Sequence, residues 1–80
     1  MPSLNIVGPR VKEARLRKSP PLTQQELAIR LQLMNWQIDR FGVSKIERGE
    51  RQVTDREVVL LARALGVAPA FLLEGEQDDG

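Results

Sequence analysis

Residues 35–51 read NWQIDRFGVSKIERGER, and the rest of the chain reads as a scaffold arranged to hold them. Asp39 has the character of a helix N-cap, because its short carboxylate can accept a hydrogen bond from a free N–H of the first turn. Ile38, just before it, and Val43, at the fourth helical position, are spaced as a hydrophobic staple. Val43, Ile46 and Glu47 fall on one stripe by the i, i+3, i+4 rule, while Arg40, Phe41, Ser44, Lys45 and Arg48 point elsewhere. Gly49 is a natural stop. The spacing predicts a short helix, roughly Asp39 to Arg48, with a small apolar back and a polar, basic front. Such a helix needs a scaffold behind it and something anionic before it.

The scaffold is legible on both sides. Upstream, Leu22-Thr23-Gln24-Gln25-Glu26-Leu27 carries a capping box, Thr23 with Glu26, and a staple, Leu22 with Leu27. Leu27, Ala28 and Leu31 then form the inner stripe of a helix ending near Leu33 or Met34. Trp36, in the connection that follows, reads as a plug over the core rather than a ligand contact. Further upstream, Gly8-Pro9 opens a helix with proline near its first position. Val11, Ala14 and Arg15 share its inner face, Lys18 continues that face, and Ser19-Pro20-Pro21 ends it. Residues 1–7 form a short arm whose Leu4 and Ile6 either pack onto the domain or fray with it. Downstream of the central stretch, Thr54 with Glu57 repeats the capping box and Val53 with Val58 the staple. Val58, Leu61, Ala62 and Leu65 make an amphipathic fourth helix, stopped by Gly66. Ala68 to Leu73 starts a short fifth helix, again with proline near its first position. Five short helices and no strand are expected, in one domain over residues 8–73. Residues 74–80 read as an acidic, flexible tail.

Eighty residues leave room for one core and no second lobe. The chain has no cysteine, hence no disulfide or thiolate zinc site, which suits a reducing cytosol. It has no histidine, which removes the commonest general base and metal ligand. The first residues lack the apolar run of a signal peptide, and no segment is long enough to span a membrane. The net charge of +1 hides an asymmetry: Glu74, Glu76, Asp78 and Asp79 follow Leu73 with no positive charge among them. Residues 1–73 thus hold all 12 basic side chains against seven of the 11 acidic ones, a net +5. That balance suits a polyanion partner without requiring one.

In the segments LTQQELAIRL, VSKIERGER and VVLLARALGV followed by FLL, the chain resembles the phage-repressor (Cro-like or Xre-like) helix-turn-helix DNA-binding domains over roughly Gly8 to Leu73. The resemblance implies an all-α fold, a compact five-helix domain of the lambda repressor-like type. Two departures stand out. The loop Ser19-Pro20-Pro21 is about two residues longer than is usual in the family. The connection from Ala28 to Ile46 is about five longer, with the excess in Gln32 to Ile38, as in a subgroup with an LQL…W…I segment. The longer connection leaves open the angle between the second and third helices.

The resemblance further implies that the third helix lies in the DNA major groove, which is wide enough to admit a helix. Arg40, Phe41 and Lys45 then fall at base-reading positions, with Ser44 and Gln24 beside them. Arg40 can bind guanine O6 and N7 bidentately, and Lys45 can do the same or reach a phosphate. Phe41 either packs against a thymine methyl or covers the longer connection. Thr23, with the free N–H groups at the start of the second helix, can hold a phosphate. Arg48, Arg51 and Gln52 either touch phosphates on the other side or form an exposed basic loop. Glu47 and Arg15 both lie on inward stripes, where each is costly to bury alone, so a structural ion pair is expected. Gly42 costs about 1 kcal/mol in a helix interior, and its small size suggests close approach to DNA. Asp39 can accept from a cytosine amino group or serve the helix alone.

The leading expectation is a sequence-specific DNA-binding transcription regulator, a repressor on a two-fold operator. It would bind double-stranded DNA as a homodimer, with half-sites roughly 34 Å apart or a multiple of that. Phe71, Leu72 and Leu73 are the candidate dimer interface; the alternative is ordinary core packing, with Phe71 the residue expected inside. The competing class is a protein-interaction module on the same fold: an antitoxin, an anti-repressor or an adaptor. An enzyme is not expected, since no pocket-forming motif and neither Cys nor His is present. No cofactor, metal, membrane or small-molecule ligand is implied, and the expected location is the cytoplasm of a bacterium, bacterial or phage-encoded, at the nucleoid.

Overall fold

The computed structural model describes residues 2–75, which form five helices: α1 (Gly8–Leu16), α2 (Gln24–Gln32), α3 (Arg40–Glu47), α4 (Asp55–Leu65) and α5 (Pro69–Glu74). Among the described residues there is no strand. The starts of α2 and α4 have a local cause. Thr23 Oγ1 accepts from the Glu26 N–H at 3.0 Å, and the Glu26 carboxylate accepts from the Thr23 N–H at 2.9 Å. Thr54 and Glu57 make the same pair of bonds at 3.2 and 3.0 Å. Both boxes satisfy donors that the first helical turn leaves without partners.

The far ends share a second device. After α2, α3 and α4 a residue turns left-handed: Asn35 (φ 68°), Gly49 (φ 72°) and Gly66 (φ 69°). The next residue's N–H then reaches back five positions, Trp36 to Leu31, Glu50 to Lys45 and Val67 to Ala62, at 3.1, 2.8 and 3.0 Å. These are Schellman closures, which occupy carbonyls the last turn leaves free. Arg30 adds one more, donating to the Ala64 carbonyl near the end of α4 at 2.9 Å.

α1 packs on α3, α4 and α5, and α2 on α3 and α4. Between them Val11, Leu27, Leu31, Val43, Ile46, Leu61, Leu65 and Leu72 are wholly buried. Burying a side chain of this size is worth about 1.5–3 kcal/mol, which is how helices too short to stand alone are held.

Three expectations are corrected. In α5 the core residue is Leu72, fully buried, and not Phe71, which is only partly covered. Pro69 opening the helix sets a register in which position 72 faces inward, so Leu72 is unavailable to a second copy. The helix also continues through Glu74, shortening the expected tail, whose residues 76–80 lie outside the described residues. In the arm, Leu4 and Ile6 stay 54% and 65% exposed. The segment is held instead by buried Val7 and by the side chain of Asn5.

Candidate nucleic-acid interface

α3 is fixed from behind. Asp39 Oδ1 accepts from the Gly42 N–H at 2.9 Å, and Ile38 and Val43 are both buried as a staple. Ile38 also explains the glycine: a Cβ on Gly42 would stand 2.5 Å from Ile38 Cγ1. The smallness of position 42 serves the scaffold, which needs the space for Ile38.

Arg15 and Glu47 close the other flank. Arg15 Nε donates to Glu47 Oε2 at 2.8 Å and an Nη donates to Oε1 at 2.9 Å, a bidentate fork. The second Nη donates to the Leu22 carbonyl at 2.9 Å. Gln24 completes the group, its amide donating to Glu47 Oε1 at 3.0 Å. The ion pair is almost fully enclosed, with side chains 9% and 3% exposed. It ties the start of α2 to the end of α3 through α1. One N–H of Gln24 is therefore turned inward, away from any ligand in front.

The front of α3 presents Arg40, Phe41, Lys45 and Arg48, all exposed, with Ser44 half-buried beside them. Phe41 is 61% exposed and lies under the Arg40 guanidinium, 4.9 Å from ring centroid to Cζ. This guanidinium–ring contact preorganises Arg40 without consuming its donors. Neither Arg40 nor Lys45 has an ion-pair partner among the described residues. Beside this face lies an open hollow of about 690 Å³, lined by Trp36, Gln37, Asp39, Phe41, Lys45 and Arg51 among others. Phe41 thus lines the hollow together with residues of the connection.

The residues read as phosphate contacts fare unequally. Thr23 is exposed; its hydroxyl accepts the α2 cap bond and keeps its O–H to donate. Arg48 is paired with Glu50 at 3.1 Å, both more than half exposed, a contact worth little in water. Gln52 is exposed. Arg51 is committed elsewhere: it pairs with Glu57 at 3.1 Å and stacks over Trp36 at 5.6 Å. Trp36, half-buried against the core, serves as that platform as well as a plug.

Accepting the Thr23 N–H holds the Glu26 carboxyl below the usual carboxylate range, with the Thr23 hydroxyl adding to the effect. Among the described residues no three metal-binding side chains converge, and no helix is long and apolar enough to cross a membrane.

Sequence reasoning misses Asn5. Its Nδ2 donates to the carbonyls of Ile46, at 3.1 Å, and Arg51, at 2.9 Å, while its Oδ1 accepts from the Gly8 N–H at 2.8 Å. No local pattern announces it, because the carbonyls lie 41 and 46 residues away.

Comparison with known proteins follows this geometry. A family model described as a helix-turn-helix domain matches residues 10–73. The restriction-modification controller protein C.AhdI from Aeromonas hydrophila is 33% identical, with a TM-score of 0.68 over 82% of this chain and 86% of that one. The P22 c2 repressor protein, solved in complex with synthetic operator 9T in the presence of Tl+, shares the fold. There the TM-score is 0.70 at 22% identity, over 89% of this chain and 97% of that one. No curated protein sequence gives a match.

Proposed function

The chain belongs to the helix-turn-helix domain family, its fold that of the phage-repressor type, and on that premise we propose that it is a sequence-specific DNA-binding transcription regulator. In this reading it is a repressor that sits on a two-fold operator as a homodimer, excludes polymerase, performs no catalysis and works in the cytoplasm. The observation that carries the reading is the division of α3. Its back is buried and locked by the Arg15–Glu47 fork, while its front offers two cations without ion-pair partners among the described residues and an exposed aromatic ring. Two relatives of the fold support it by what they are: a repressor bound to an operator, and a controller protein.

Set into a major groove, Arg40 reads guanine through its fork, Lys45 reads a base or a phosphate, and Phe41 packs on a thymine methyl. Ser44 and the outward half of the Gln24 amide complete the base-facing set. Arg48 and Gln52 hold phosphates, with the N–H groups at the start of α2 beyond Thr23. Arg51, held by Glu57 and Trp36, acts through the scaffold. With Leu72 inside the core, self-association falls to Leu73, 45% exposed, and half-buried Phe71.

The test is selection of binders from a random duplex pool by wild type and Arg40→Ala at two salt concentrations. The expected result is an inverted repeat with half-sites about 34 Å apart or a multiple of that, affinity that falls steeply with salt, and loss of preference at one position in Arg40→Ala. No DNA binding at low salt would refute the reading and favour a protein-interaction module.

A further inference from the structure

Asn5 uses all of its amide. Both N–H donors and the oxygen are engaged, each with a different piece of chain: the last turn of α3, the loop at Arg51, and the start of α1. Two further contacts converge there. The Leu4 N–H donates to the Gly49 carbonyl at 2.9 Å. A Cβ on Gly8 would stand 2.3 Å from the Ile46 carbonyl oxygen, so α1 and α3 meet backbone to backbone. The C-terminal end of α3 is thereby anchored on the arm, as its N-terminal end is anchored on Ile38 and Asp39.

We propose that Asn5 is a positioning residue for DNA reading, one that sets the tilt of α3 without touching DNA itself; the proposal rests on the DNA-binding reading above. The argument is one of leverage. α3 has eight residues, so it is about 12 Å long, and a swing of about 5° moves one end by about 1 Å. A good hydrogen bond tolerates about half of that. Lys45 and Arg48 stand near the anchored end, and Arg48 lies between the two carbonyls that Asn5 holds. Non-specific attraction to phosphates depends on charge and survives such a swing, whereas a base contact does not.

The experiment compares wild type, Asn5→Ala and Asn5→Asp, each as the full chain. Binding is measured to the duplex selected by wild type and to an unrelated duplex of equal length, with the folded fraction followed by circular dichroism. Asn5→Asp keeps the acceptor for Gly8 and sets a carboxylate against two carbonyls. In Asn5→Ala, which leaves the net charge unchanged, affinity for the selected duplex should fall about tenfold, the discrimination one spoiled base contact forfeits, while affinity for the unrelated duplex stays within about twofold; Asn5→Asp should lose at least as much discrimination between the two. An equal fall on both duplexes, or no fall on either, overturns the proposal. Unfolding of both variants at the assay temperature overturns it too, because Asn5 is then a folding residue. A wild type with no preference between duplexes overturns the DNA-reading premise, and the proposal with it; a wild type that discriminates, beside variants that discriminate equally well, overturns the proposal alone.

Discussion

Removing one partner of the Arg15–Glu47 pair should come close to unfolding the domain, and removing both should not. Arg15→Met leaves the Glu47 carboxylate, 3% exposed, with the Gln24 amide as its remaining donor. An uncompensated buried charge of this kind costs about 3–5 kcal/mol. Glu47→Leu leaves the guanidinium with the Leu22 carbonyl alone and should cost a similar amount. A chain of 80 residues has a total stability of about 4–12 kcal/mol, so either change consumes a large share of it. The double variant buries no charge. What remains is an orphaned Leu22 carbonyl, about 1–3 kcal/mol, since the half-buried Gln24 amide can turn to water. The double variant should therefore fall short of the summed single effects by about 3 kcal/mol or more. Arg15→Lys, which keeps the charge and loses the fork, should fall between wild type and Arg15→Met. Trp36 is the single tryptophan, half-buried and under Arg51, so its fluorescence reports urea unfolding directly. Single effects below about 1 kcal/mol, or a double effect equal to their sum within about 0.5 kcal/mol, would refute the reasoning.

Three further outcomes follow from the same structure. Gly8→Ala and Gly42→Ala should both destabilise, by about 1–3 kcal/mol in urea titrations, although alanine favours helices. Gly8→Ala should cost more, since its Cβ meets a backbone carbonyl and Gly42's meets a side chain; a stabilised Gly42→Ala would contradict the packing argument. Glu26 has a lowered folded-state pKa, so its contribution is full above the ordinary carboxylate range and is lost as pH falls through the lower folded value. Wild type should then lose more stability than Glu26→Gln between about pH 6 and pH 3, and equal losses would count against the capping box as the cause. Leu72→Ala should cost about 2–5 kcal/mol as a core cavity, whereas Leu73→Glu should leave the unfolding midpoint nearly unchanged and weaken self-association seen by sedimentation; unchanged association would remove Leu73 from the interface.

What the sequence makes legible here is what lies within about four residues. Both capping boxes, both staples flanking them and the stripe of α4 are local pairings, and residue types announce them. α5 shows where that reasoning thins out. In six residues a helix makes fewer than two turns, so periodicity cannot decide between Phe71 and Leu72, and the larger ring draws the choice wrongly. The packing role of Gly42 is hidden for a related reason: the atom that crowds it belongs to Ile38, which precedes the helix and so lies off its wheel. Arg51 has its fate set by Glu57 and Trp36, and Asn5 by carbonyls on the far side of the sequence. Long-range hydrogen bonds to backbone leave no compositional trace, because every residue carries the same carbonyl.

The connection over residues 33–39 is held at both ends. Its first part is consumed by the closure of α2, with Asn35 left-handed and the Trp36 N–H returned to Leu31. Trp36 then packs on the core, and Gln32 reaches across the connection to the Ile38 carbonyl at 2.8 Å, so both ends of the segment are pinned. Ile38 enters the core and Asp39 caps α3 directly. The residues that remain exposed, Leu33 and Gln37 among them, add surface beside α3 rather than freedom within it. α3 is also held from outside the connection, by the Arg15–Glu47 fork at its flank and by the Asn5 bond to the Ile46 carbonyl near its end. Substitutions at the exposed Leu33 and Gln37 should therefore leave α3 in place, so long as a residue tolerant of a left-handed turn and an aromatic plug are retained at 35 and 36.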